Sequence, residues 1–144
     1  SGIARSDIAG DFGGYVVILL FDSSDMTVHM TVIDKESRHE YTWEAGRTLA
    51  KDMLQYMSAR LAEQGSLMTE LSGIGVFRGP GSYTGLRIGL TVLNTLAEST
   101  NVPIVGAAGD TWQQECLSRL NAGENDHIIL PEYGGEAHIT PPRK

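Results

Sequence analysis

The chain has 144 residues, a formal charge of −7 and a sequence pI near 4.9. This acidic balance, with no cluster of Lys or Arg, argues against a stand-alone nucleic-acid binder, because such proteins gain affinity by neutralising phosphates. A content of 41% hydrophobic and 20% charged residues is ordinary for one globular domain with a proper core.

Two features bear on the compartment in which the protein works. Its longest apolar run, residues 15–21, is too short to cross a bilayer, which takes about 20 residues, and no secretory signal is visible. Cys116 is the only cysteine, so the chain cannot form an internal disulfide. We predict a cytoplasmic protein in which Cys116 is a small core residue and not a nucleophile.

The first third of the sequence predicts an antiparallel meander. Residues 1–14 mix small, charged and glycine residues without periodicity, which indicates a flexible lead-in. Residues 15–22 are almost uniformly apolar, as expected of a central strand covered on both faces. Alternation over 26–34 predicts a half-buried second strand, and 38–43 reads as a third strand at the edge of the sheet.

The rest of the chain alternates between helical and extended patterns. They predict helix 47–64 ended by Gly65, strand 74–77, helix 82–100, strand 103–106, helix 111–120 and a last short strand at 128–130. The order βββαβαβα is typical of the ribonuclease-H-like lobe of the actin-like ATPase superfamily, a mixed sheet with helices on both faces. We therefore predict an α/β lobe over 15–130, followed by a Pro-rich tail at 131–144.

The apolar stripe of the first predicted helix is wider than one sheet face requires. Ala50, Met53, Leu54, Met57 and Leu61 recur at helical spacing, and Leu49 and Tyr56 extend the stripe sideways. Packing on a single sheet face does not by itself explain this excess width.

A glycine-rich segment, GPGSYTGLRIG, runs from Gly79 to Gly89. Gly81, Gly85 and Gly89 fall four residues apart, and each glycine inside a helix costs about 1 kcal/mol relative to alanine. Three interpretations are open: a phosphate site at a helix start, a turn packed closely within the core, and a surface for a partner helix. The segment lacks the lysine of a P-loop, which argues against the phosphate site.

The same segment resembles the signature of the TsaB (YeaZ) family, the dimerisation subunit of the bacterial tRNA threonylcarbamoyladenosine machinery. Weaker similarity extends over residues 15–121. The resemblance implies a non-catalytic subunit without cofactor or metal, which supports TsaD, a TsaE-like ATPase completing the assembly; homodimers are possible, and tRNA is reached only through the complex. It implies that helices 47–64 and 82–100 carry the partner-binding residues, namely Leu49, Met53, Tyr56, Met57, Gly81, Ser82, Tyr83, Thr84, Gly85, Arg87 and Gly89.

Other chemistries find little support in the residue pattern. None of the four histidines, His29, His39, His127 and His138, lies three or four residues from another, so a helical metal motif is missing. Ser24 and Ser82 have no base at a recognisable spacing, which argues against a peptidase.

Two polar positions draw separate expectations. We expect Asp22 to shape the turn after the first strand through an Asx bond. Arg87, near a helix N-terminus, is expected to face a partner carboxylate.

The family ordinarily has two lobes, whereas the residues after Leu130 are too few for a second one, so the sequence is expected to be a single-lobe short form. Two alternatives remain open. One is a nucleotide-binding fragment that uses Asp22 and the loop from Gly79 to Gly85, and the other is a homodimeric scaffold unrelated to tRNA.

Overall fold

A computed structural model describes residues 17–34, 37–81 and 83–132. The predicted lead-in, residues 1–14, and all but the first two residues of the predicted tail, 131–144, lie outside these ranges. Within them, one five-stranded sheet is flanked by three α-helices.

The strands form a single mixed sheet in the spatial order β3-β2-β1-β4-β5. They are β1 (Val17–Asp22), β2 (Thr27–Asp34), β3 (Ser37–Glu44), β4 (Gly73–Phe77) and β5 (Ile104–Ala107). β1, β2 and β3 pair antiparallel, while β4 runs parallel to both β1 and β5. The predicted meander, the central position of the first strand and the edge position of the third are therefore confirmed.

The helices are α1 (Leu49–Glu63), α2 (Tyr83–Thr100) and α3 (Trp112–Asn121), with single 3-10 turns at Gly46–Thr48 and Met68–Glu70. Gly65 adopts a φ of 77° just after α1, and the amide of Ser66 returns to the Leu61 carbonyl at 3.0 Å, which confirms the predicted glycine end of this helix. None of the helices in the described ranges is long and apolar enough to cross a membrane.

Alternating side chains of β1 divide the core between the two sheet faces. Leu19 and Phe21 belong to the cluster beneath α1 and α2, whereas Ile18 and Leu20 pack with α3. All four side chains are fully buried. A strand covered on both sides cannot carry polar residues on either face, which explains why this segment reads as a continuous apolar run.

The predicted strand at 128–130 is wrong. Asn94, on α2, donates its side-chain amide to the carbonyl of Ile129 (3.0 Å) and accepts from the amide of Ile129 (2.8 Å). One side chain thus satisfies both main-chain groups that a neighbouring strand would otherwise satisfy. His127 precedes this segment with a φ of 70°, which interrupts extended backbone.

Candidate protein interface on the first two helices

Three of the residues expected to bind a partner are core residues of the chain itself. Leu49, Met53 and Met57 are at most 2% exposed, so the expectation that these side chains present a surface disagrees with their burial. α1 and α2 pack against each other on one face of the sheet, and the stripe of α1 is wide because both the sheet and α2 cover it. Tyr56 is partly buried, with its ring stacked on that of Trp43 at a centroid separation of 4.4 Å.

The glycine face of α2 is also occupied from within. A Cβ atom built on Gly85 would lie 2.7 Å from the carbonyl oxygen of Ser23, and one on Gly89 would overlap the Ser23 hydroxyl and lie 3.0 Å from its Cβ. The buried hydroxyl of Ser23 donates to the carbonyl of Gly85 at 2.9 Å. These glycines let the turn after β1 approach the helix, which is the close-packed interpretation of the segment.

The loop before α2 is similarly filled by the chain's own backbone. A Cβ on Gly81 would lie 2.5 Å from that of Ser24, and one on Gly79, whose φ is 125°, would overlap the Glu132 carbonyl. Ser82 lies outside the described residues, and of Tyr83 only the backbone is described. The glycine spacing is thus accounted for without a bound phosphate.

Asp22 shapes the turn after β1, as predicted. Its Oδ1 accepts from the amide of Ser24 at 2.9 Å and from the Ser24 hydroxyl at 2.7 Å, which is the expected Asx turn. This carboxylate oxygen is therefore already used within the chain.

The exposed side of the same two helices has a different character. A groove of about 380 Å³, called here the α1–α2 groove, is lined by Ala50, Thr84, Arg87, Ile88, Thr91 and Val92. Next to it, a cavity of about 330 Å³ opens between the Gly46–Thr48 turn and α2, beside the 67% exposed side chain of Met26. Small side chains such as Ala50 and Thr91 allow another helix to approach closely.

Of the six residues that line this groove, only Thr84 and Arg87 were expected from the sequence to bind a partner, and Ala50 was assigned to the apolar stripe of the first helix. The missed signal is a second, sparser stripe on α2: Ile88 follows Thr84 by four residues and Val92 follows by eight. This stripe is distinct from the buried one formed by Leu86, Leu90 and Leu93. A helix with two such stripes has one face for its own core and one for another surface.

Arg87 supplies the charge at this groove. It is exposed and forms no ion pair within the described ranges. As the fifth residue of α2, it lies near the positive end of the helix macrodipole, where a cation is unfavourable. A carboxylate on an approaching molecule would offset this cost.

The other candidate groups are structural. In the part of the chain described here, no three potential ligands are grouped so as to hold a metal ion. His29 and His39 lie on β2 and β3 as predicted, and His138 falls outside the described residues. Cys116 is fully buried, as predicted, and burial raises the pKa of its thiol to about 12.

Sequence comparison relates the chain to proteins of one tRNA modification pathway. The family model for "TsaD: tRNA N6-adenosine threonylcarbamoyltransferase" matches residues 43–108. The protein named "tRNA threonylcarbamoyladenosine biosynthesis protein TsaB" from Haemophilus influenzae is 24% identical over 87% of this chain, and its namesake from Bacillus subtilis is 32% identical over 62%. The chain spans only 53% and 39% of those two relatives. Escherichia coli TsaB is 35% identical over 43% of this chain and 29% of its own length.

Comparison of folds gives two matches to solved structures at 24% identity. The structure of YeaZ from Pseudomonas aeruginosa matches with a TM-score of 0.60 at 24% identity, over 65% of this chain and 44% of that one. An uncharacterised protein with similarity to peptidase YeaZ matches with a TM-score of 0.61, also at 24% identity, over 65% of this chain and 43% of that one. The fold is the actin-like, ribonuclease-H-like one expected from the element order. The chain is thus similar in sequence to TsaB proteins over part of their length, and it shares the fold of the YeaZ structures.

Proposed function

We propose that this chain is a non-catalytic subunit in the biosynthesis of tRNA threonylcarbamoyladenosine, and that it binds and supports a TsaD protein through the α1–α2 groove. Support for the pathway comes from the relatives, which are named for it. Support for the surface comes from one observation above all: α1 and α2 leave an open groove of small and apolar side chains beside Arg87, which has no ion-pair partner among the described residues.

The range of the TsaD family match adds a reason for this choice of surface. Residues 43–108 include the whole of α1, β4, α2 and β5, so the unit that carries the groove is itself similar to TsaD. Two related subunits with similar helix pairs can associate about a pseudo-twofold axis, each groove receiving a helix of the other. A partner of the same fold therefore suits the groove better than an unrelated one.

The proposal of a non-catalytic role rests on the chemistry of the described residues. Asp22 is held in the turn after β1, the loop glycines contact the chain's own backbone, and the thiol of Cys116 is buried. None of these groups is placed to activate a nucleophile or to hold a phosphate. Transfer of the threonylcarbamoyl group would then belong to TsaD, and contact with tRNA to the complex. A TsaE-like ATPase would complete the assembly.

The direct test is binding to a TsaD protein from the same organism, measured by biolayer interferometry. Thr91→Arg puts a large cation into the groove and should weaken binding at least about tenfold, since it combines steric overlap with buried charge. Ser118→Arg, at an exposed position of α3 on the opposite face of the sheet, is the matched control and should bind as the parent does. Unimpaired binding of Thr91→Arg would remove the groove from the interface.

A second measurement tests the role of Arg87. If it faces a partner carboxylate, Arg87→Glu should weaken TsaD binding, while Arg87→Lys should retain most of it. Co-purification with TsaD that is insensitive to Arg87→Glu would refute this contact.

Activity assays and calorimetry test the division of labour. The chain alone should produce no threonylcarbamoyladenosine, and adding it to TsaD should raise the yield. Micromolar binding of ATP or ADP by the isolated chain would instead support the nucleotide-binding alternative.

A further inference from the structure

The two edges of the sheet differ in whether their outward main-chain groups have hydrogen-bond partners. At the β5 edge, the amide of Ile104 donates to Asn125 Oδ1 (3.1 Å) and its carbonyl accepts from the amide of Asp126 (2.7 Å). The amide of Gly106 donates to Asp126 Oδ2 (3.1 Å), and its carbonyl accepts from Arg119 Nη1 (2.9 Å). Four consecutive edge groups are thus satisfied, so this edge cannot receive another strand.

The β3 edge has no neighbouring strand among the described residues. The amide of Ala45 donates to the carbonyl of Met26 at 3.0 Å, so odd-numbered residues of β3 direct their main-chain groups towards β2. Even-numbered residues therefore direct theirs away from the sheet. The outward amides of Arg38, Glu40 and Thr42 have no partner in the part of the chain that the structure describes.

Charge along this edge favours one pairing register between two copies. If two β3 strands pair antiparallel about a twofold axis at Tyr41, Arg38 of each copy stands opposite Glu44 of the other. A shift of the axis by one residue to Glu40 or to Thr42 places Glu40 opposite Glu40 or opposite Glu44, which is repulsive. An axis at His39 also sets Arg38 opposite Glu40, but it pairs only residues 37–41, whereas the axis at Tyr41 pairs residues 38–44. The axis at Tyr41 thus combines opposite charges with the longer overlap.

The hydrogen-bonding pattern agrees with that register. With the axis at Tyr41, the outward-facing Glu40 of one copy stands opposite the outward-facing Thr42 of the other, so their amides and carbonyls exchange hydrogen bonds. At present the Thr42 carbonyl receives only a long bond, 3.4 Å, from the Tyr56 hydroxyl. Main-chain groups and side-chain charges therefore select the same alignment.

Arg38 and Glu44 each keep a side-chain atom available for hydrogen bonding to the second copy. Arg38 uses Nε on Glu40 at 3.0 Å and Nη2 on Gln113, which leaves Nη1 available. Glu44 accepts from the Thr27 hydroxyl through Oε2 at 2.6 Å, which leaves Oε1 available.

From these relationships we infer that a second copy of this chain docks on the β3 edge, joining the two sheets into one antiparallel sheet through paired Arg38 and Glu44. This surface shares no residue with the α1–α2 groove. The chain can therefore dimerise at β3 with its groove free for another protein.

The experiment is a charge-swap series on the full chain, followed by sedimentation equilibrium. Arg38→Glu and Glu44→Arg each turn two symmetry-related attractions into repulsions, so each should raise the dimer dissociation constant by about tenfold or more. The double variant restores opposite charges across the axis and should return to within about threefold of the parent. Glu98→Arg changes charge equally at an exposed site on α2 and should have no effect.

A main-chain variant provides an independent arm. Thr42→Pro removes an outward-facing amide that pairs only with the second copy, so it should abolish the dimer, whereas Thr42→Val keeps the amide and should preserve it. Melting temperatures identify any variant that fails to fold.

The inference would be overturned by a monomeric parent at all concentrations, by single charge variants that dimerise normally, or by a folded double variant that remains monomeric. A dimer broken by Thr91→Arg but not by Arg38→Glu would place self-association at the α1–α2 groove instead and would equally refute it.

Discussion

The hydroxyl of Ser23 donates to the carbonyl of Gly85 at 2.9 Å across 62 positions of the sequence. Around this bond, the turn after β1 lies against the two helical glycines of α2, at the place where the first strand meets the glycine-rich segment. The bond therefore joins the two most distinctive parts of the sequence. Its geometry predicts how much stability is lost when either glycine is replaced by alanine.

Gly89→Ala should destabilise the fold and should be rescued by shortening Ser23. The new methyl group overlaps the Ser23 hydroxyl, and overpacking of this kind costs about 1–3 kcal/mol, which outweighs the gain of about 1 kcal/mol in helix propensity. Ser23→Ala removes the overlapping atom. In a double-mutant cycle measured by urea unfolding, the pair should show a coupling of at least about 1 kcal/mol. Additive effects would show that the two side chains do not meet.

Gly85→Ala should destabilise without such rescue. Its methyl group would lie 2.7 Å from the main-chain carbonyl of Ser23, which a change of side chain does not move. We expect a loss of about 1–3 kcal/mol and a coupling to Ser23→Ala below about 0.5 kcal/mol. Thr91→Ala, at an exposed position of α2, should change stability by less than about 0.5 kcal/mol and serves as the control. Strong coupling at Gly85 would mean that the turn can shift.

The sequence was sufficient to predict the strands and helices, since their apolar periodicity follows directly from which faces are covered. The continuous apolar run of β1 gave its central position, whereas β2, which was predicted to be half-buried, has four consecutive buried residues from Met30 to Ile33. The strand prediction for residues 128–130 was wrong because Asn94 satisfies the main-chain groups of Ile129. Asn94 is distant in sequence, so the local pattern gives no sign of this contact.

The candidate site was predicted less well, for a physical reason. Glycines spaced by four residues show that something approaches the helix, but spacing carries no information on whether that neighbour is Ser23 or another protein. The wide stripe of α1 has the same ambiguity, because α2 covers it as a partner would. Only burial distinguishes the two cases.

Met53→Ala tests that distinction through stability. The Met53 side chain is fully buried between α1, α2 and the sheet, so its truncation should cost about 2–5 kcal/mol. Leu54→Ala, one residue along and 47% exposed, should cost less than about 1 kcal/mol. Chemical denaturation of both variants gives the comparison. A mild effect at Met53 accompanied by loss of TsaD binding would return this residue to the interface.

Acidic pH should weaken the hydrogen bonds by which Asp126 satisfies main-chain groups at the β5 edge. Burial of the Asp126 carboxyl raises its pKa, but hydrogen bonds from Arg119 and from the Gly106 amide outweigh this and hold the pKa below its usual value. A carboxyl whose pKa is lower in the folded than in the unfolded protein stabilises the fold fully at pH values above its unfolded-state pKa, about 4. This stabilisation is lost as the pH falls through the folded-state pKa. Because Asp126 is exposed and water screens its contact with Arg119, we expect Asp126→Asn to cost only about 0.5–1 kcal/mol at pH 7. The difference from the parent should shrink below about pH 4.

Thermal melts over a pH series measure that difference. Glu115→Gln, at an exposed position of α3, is the control and should show no comparable change with pH. If the difference in melting temperature between the parent and Asp126→Asn stays the same at low pH, the destabilisation comes from altered packing and not from the lost carboxylate charge.

The thiol of Cys116 should be chemically silent in the native protein. Burial raises its pKa to about 12, so only about one thiol in ten thousand is ionised at pH 8. Gly75 of β4 also lies close beneath it: a Cβ on that glycine would be 2.8 Å from the Cys116 Cβ, so a reagent has no path from the sheet side. Labelling with a disulfide reagent should therefore be no faster than unfolding, while the urea-unfolded chain reacts rapidly. Fast labelling under native conditions would instead show that α3 opens away from β4 without the rest of the fold.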